Sequence, residues 1–167
     1  MTGSGRYRQT VGLEADAISI AAGNLHVVDT ADVLEHAERN IGKPIPVAAH
    51  RTDEWCTALF LVKQTDGYWR DEVVPVRDGE VAGYGGGTGG ILRRSEVPPG
   101  APHLDGEGRT GIDESVELVQ VTGVSADESV MMVHGNDVVA RAPVAAHGYF
   151  LLTAVLPTDG QVTVQPG

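Results

Sequence analysis

Beyond Trp55, apolar and polar residues alternate with period two, and the alternation breaks about every eight to twelve residues at Gly, Asp, Asn or Pro. CTALFLVK, YWRDEVVPV and EVAGY are joined by QTDG and RDG, which have the chemistry of tight turns, so they read as three successive antiparallel strands. After residue 114 the same spacing returns in SVELVQVTGV, SVMMVHG, DVVARAPV, GYFLLTAVL and QVTVQ, separated by SADE, GN, AAH and PTDG. From Val11 to Val28 a looser alternation around Gly12 and Gly23 suits two short strands. One segment changes period. In DTADVLEHAERNIGKP, the residues Val33, Leu34, Ala37 and Ile41 share one face of a helix over residues 30–41, with Asp29 or Thr30 as cap and Gly42 and Pro44 as stop.

These elements predict a mainly β chain, an antiparallel sandwich or barrel of about 8 to 10 short strands with one amphipathic helix; α+β is the alternative. Residues 1–10 are polar and read as a flexible N-terminus, and residues 11–167 as a single domain. PVAAH occurs at Pro46–His50 and again at Pro143–His147, and each copy leads to an apolar run ending in TDG. A duplicated β-hairpin would give two similar halves, about 43–84 and 115–165, joined by an irregular Gly- and Pro-rich loop over residues 85–114.

Composition narrows the function classes. Twelve basic against twenty-three acidic residues give a net charge of -11, which disfavours nucleic acid and anionic membranes and suits a basic protein surface or a cation. Cys56 is the only cysteine, so no intrachain disulfide forms. MTGSGRYRQT lacks the apolar core of a secretion signal, and no apolar run reaches membrane-spanning length, so the chain reads as soluble and cytoplasmic.

The stretch YGGGTGGILRR carries the one motif of chemical interest. Gly85, Gly87 and Gly90 match G-x-G-x-x-G in letters, but ILRRSEVPP is too short for the helix that would hold a pyrophosphate at its N-terminus. What survives is an anion nest of Gly86, Gly87, Thr88 and Gly89 with the guanidinium groups of Arg93 and Arg94, extended by His103 and Asp105. The plain alternative is a glycine-rich crossing whose arginines pair with Glu96 or Asp105.

Other clusters are weaker. His103, Asp105, Glu107, Asp113 and Glu114 lie in one segment, yet Arg109 stands where a calcium loop needs an oxygen, and no metal or cofactor is assigned. Cys56 lies near His50 in sequence, which is no evidence of a pair joined in space with an orienting third group, and it reads as a core thiol, so no catalytic residue is assigned. His50 and His147 read as matched corners whose imidazoles hold backbone carbonyls, and Trp55, Tyr68 and Trp69 as core aromatics. The functional expectation is a non-catalytic domain that binds a protein partner or itself through residues 85–114. The alternative is a small-anion binder or enzyme with its site under the same segment.

Overall fold

The computed structural model describes residues 13–167, so the reading of residues 1–10 as flexible, and of Val11 and Gly12 as strand, lies outside the described residues. Within them the chain is mainly β, with eleven strands in three antiparallel sheets. The first sheet holds β1 (Ile45–Thr52), β2 (Trp55–Lys63), β3 (Trp69–Arg77), β4 (Glu80–Val81) and β5 (Gly85–Gly89), in the order β1-β2-β3-β4, with β5 pairing further along β3. The second is β10-β7-β6, where β6 spans His103–Gly111, β7 Val116–Val124 and β10 Tyr149–Pro157. The third is β11-β8-β9, with β8 at Ser129–His134, β9 at Asp137–Pro143 and β11 at Thr163–Pro166.

Burial explains the layering. In β2, Ala58 and Phe60 face one side and Leu59 and Leu61 the other, and all are buried. Leu59 and Leu61 meet Val124, Tyr149 and Leu151 of the second sheet. In β10, Phe150, Leu152 and Ala154 turn to Val130, Met132 and Ala142 of the third sheet. Strands covered on both faces read as near-continuous apolar runs, and CTALFLV and YFLLTAVL, interrupted only by Thr57 and Thr153, are such runs. The first two sheets also come together at their margins. Strand β1 lies along β10, and β5 approaches β6, but no ladder closes either seam, so this is a sandwich and not a closed barrel.

Three of the expected elements need correction. Residues 13–21 are helical (α1), not strand, because Leu13, Ala17 and Ile20 recur at helical spacing and pack on Phe60, Val74 and Val76. The second helix (α2) is Val33–Glu38, shorter than 30–41; Ile41 is 56% exposed, and the Asp29 carboxylate takes the Ala146 N–H at 2.6 Å instead of capping the helix. Residues 85–114, expected to be an irregular loop, contain β5 and β6, with a single 3-10 turn at Arg94–Glu96 between them.

The two PVAAH copies also differ. The first lies inside β1, whereas the second leaves β9 at Pro143 and forms a turn. Strands β2 and β3 make a hairpin, but β10 pairs with β7 and β11 with β8, so no duplicated hairpin exists. No helix among the described residues is long and apolar enough to cross a membrane.

Candidate functional site

The glycine strand β5 is held by β3 in a register that sets Gly86 opposite Glu72 and Gly87 opposite Asp71. Gly86 has φ +147°, and a methyl group there would overlap the Asp71 carbonyl, so only glycine lets the two backbones approach this closely. The Asp71 carboxylate accepts the Gly87 N–H at 2.7 Å. Across the seam, β6 pairs with β7 through a bulge between Leu104 and Gly106, and the extra residue is Asp105. Such a bulge re-aims a side chain, here into the space facing Asp71.

Two adjoining clefts of about 130 Å³ each result, and they share Asp71, Gly87 and Asp105. The first has an apolar floor of Leu61, Trp69 and Tyr149. Tyr149 donates its hydroxyl to the Leu92 carbonyl at 3.1 Å, and burial raises its phenol well above the ordinary range. The second is bordered by Glu107, Gln120 and Thr122. Gly106 and Gly108 stand opposite Thr122 and Gln120 in the ladder, so no side chain from β6 covers either of them.

The electrostatics of the clefts are acidic. Loss of surrounding water raises the Asp105 carboxyl above its usual value even though 36% of its side chain is exposed. His103, 3.2 Å away, opposes this shift, and the Asp71 charge adds to it. Gln120 is 5% exposed, and its Nε2 is a buried donor with no hydrogen-bond partner.

The expected anion set is not assembled. Gly86, Gly87, Thr88, Gly89 and Asp105 line the clefts, with His103 beside Asp105. Arg93 instead bonds Glu35 at 3.0 Å, while its N–H reaches Glu96. Arg94 turns away entirely. One nitrogen donates to the carbonyls of Ala145 and Ala146 at 3.0 and 3.4 Å, the other to those of Ala126 and Asp127 at 3.0 and 3.2 Å. It clamps the β7–β8 turn to the β9–β10 turn. No family model, curated protein or solved structure matches this chain. The site therefore stands on its geometry.

Asp113 caps its own turn through Ser115 and Val116, and Glu107 and Glu117 both hold Arg109. Among the described residues no three potential ligands gather around a common metal position. Cys56 is buried, which pushes its thiol up. Trp55 and Trp69 lie in the core, whereas Tyr68 is 61% exposed.

The two histidines of the repeat do hold carbonyls. His50 Nε2 meets the Arg141 carbonyl at 3.0 Å while its Nδ1 takes the Thr153 N–H at 3.2 Å; His147 Nε2 meets the Val28 carbonyl at 2.9 Å while its Nδ1 takes the Tyr149 N–H at 3.0 Å. A carbonyl only accepts and an amide N–H only donates, so both rings are neutral with the proton on Nε2. Burial lowers the pKa of both imidazoles and outweighs the opposite, raising effect of their bonds to these carbonyls.

Asp71, Gln120 and Tyr149 are the site residues that sequence reasoning missed. Each lies in a strand that reads as core, and only the β3–β5, β6–β7 and β10–β7 ladders bring them to one seam.

Proposed function

We propose that this chain is a non-catalytic binding domain that takes a protein partner, or a second copy of itself, at the seam formed by residues 85–114. One observation carries the reading: β5 and β6 each have a partner strand on one side only, and both are glycine-rich where they face one another. Glycine edges leave main-chain donors and acceptors uncovered, the feature through which extended segments add to a sheet. The buried, raised thiol of Cys56 suits a core role and not a nucleophile's. The anion-binding alternative loses support because Arg93 and Arg94 are committed to Glu35 and to backbone carbonyls.

The test is a pair of variants with the fold checked by circular dichroism. Thr88→Arg with Glu107→Arg alters the two sides of the seam, and Val138→Arg alters an exposed position on β9. Affinity capture from the native cell with mass spectrometry, together with sedimentation velocity, should show a partner or self-association that the seam pair loses and Val138→Arg keeps. If both variants retain every partner and the same sedimentation profile as the parent chain, the reading is wrong.

A further inference from the structure

We propose that the paired clefts between β5 and β6 bind a primary ammonium group whose neighbouring carbon carries a carbonyl, the chemistry shared by a peptide N-terminus and a small amino amide. The proposal rests on reading the seam as a binding surface and gives that surface a ligand class.

Charge gives the first part. Asp71 and Asp105 border both clefts, and the second, whose lining has no basic side chain, adds Glu107, itself paired with Arg109 outside the cleft. Arg70, at the margin of the first, is paired with Glu72. Two carboxylates facing one space repel each other, and a cation between them relieves that repulsion. An ammonium group has three donors to distribute, which suits carboxylate oxygens on opposite walls.

Gln120 gives the second part, independently. A side chain 5% exposed, with its amide nitrogen buried and unpartnered, borders the same cleft as the carboxylates. An unpaired buried donor is unfavourable, so it calls for an acceptor from outside the chain. A ligand that brings a carbonyl beside its ammonium supplies both halves of the complement.

The glycines give the third. A methyl group at Gly106 would lie 3.6 Å from Thr122 Oγ1, and one at Gly108 would lie 3.2 Å from Gln120 Oε1, so larger residues would cover the polar wall. One cleft of about 130 Å³ holds the volume of about four waters, which suits a fragment of a few heavy atoms. A quaternary ammonium has no N–H to donate and lacks the required chemistry.

The experiment is a titration of the full chain with glycinamide, followed by amide nitrogen–proton correlation spectra. The Gly87, Gly106 and Gly108 amides and the Gln120 side-chain NH2 should shift saturably, and N-acetylglycinamide and tetramethylammonium should leave them still. Asp105→Asn should weaken binding about tenfold or more, as loss of a charge-assisted hydrogen bond does. Gln120→Met keeps the shape and removes the unpaired donor, so it should bind glycinamide more weakly yet melt at a higher temperature than the parent. A merely structural glutamine would not give that opposed pair of changes. A free-amine tripeptide amide that binds more tightly than glycinamide identifies a chain end as the source, and equal affinity identifies a small amine.

Absence of saturable shifts up to about 50 mM glycinamide, or an unchanged Kd in Asp105→Asn, overturns the proposal. If that happens while Thr88→Arg with Glu107→Arg still abolishes partner retention, the ammonium site falls and the seam stands as a binding surface. If the seam pair changes nothing, the wider reading falls whatever glycinamide does.

Discussion

Arg94→Met tests whether this arginine is an anion ligand or a structural clamp. The methionine keeps most of the aliphatic stem and removes the guanidinium that joins the Ala126–Asp127 turn to the Ala145–Ala146 turn. A hydrogen bond to a charged donor contributes about 1.5–3 kcal/mol, and two of the four contacts are as short as 3.0 Å. Arg94 is only partly buried, so water can re-solvate some of the abandoned carbonyls, and the expected loss is about 2–4 kcal/mol and not the full sum. With a urea m-value of about 2 kcal/mol/M for a domain of this size, the unfolding midpoint should fall by about 1–2 M at unchanged m. Arg94→Lys should fall between the two, since a compact ammonium cannot fork to both turns. A midpoint drop below about 0.3 M would refute the clamp. So would inorganic phosphate that raises the melting temperature of the parent chain but not of Arg94→Met, because that result returns the guanidinium to ligand duty.

Three further outcomes follow from the same structure. His50 and His147 have folded values depressed below their ordinary 6.5, so stability is intact above about pH 6.5 and falls below it as the unfolded chain takes up protons the folded rings refuse; the doubly substituted His50→Gln, His147→Gln chain should show a flatter loss between about pH 6.5 and 5 in urea melts, and an unchanged slope would clear the histidines. Gly86→Ala should cost about 2–4 kcal/mol and strip hydrogen-exchange protection from the Gly85–Gly89 amides, whereas parent-like melting would mean that β3 and β5 have room to separate. Cys56 should react with a thiol reagent at neutral pH far more slowly in the folded chain than after unfolding in urea, and equal rates would contradict its burial.

Most of the strand architecture was legible because turn chemistry and burial agree. QTDG and GN close two-stranded ladders, and the runs at β2 and β10 are apolar on both faces, each broken by a single buried threonine, because both faces are covered. Helix α1 was illegible because Leu13, Ala17 and Ile20 are interleaved with other small apolar residues that also fit a period of two. Strand β6, HLDGEGRTG, carries no apolar alternation since its inward neighbours are the polar Thr122 and Gln120, so its membership comes from the ladder alone. For the site, Gly87 and Asp105 stood out by letters, while Asp71 and Gln120 did not. Arg94 illustrates the remaining limit: a guanidinium reads the same in sequence whether it meets a phosphate or four carbonyls.

The glycine margin between β5 and β6 also has a mechanical consequence. Elsewhere neighbouring strands are tied by backbone ladders, and the seam between β1 and β10 is stitched by His50 and Thr52 to Thr153. At the glycine margin, by contrast, parting the two edges breaks no ladder bond, and what resists is the apolar floor of Leu61, Trp69 and Tyr149 beneath it. Resistance to widening along that line therefore comes from apolar packing, whereas at the β1–β10 seam directional hydrogen bonds add to it.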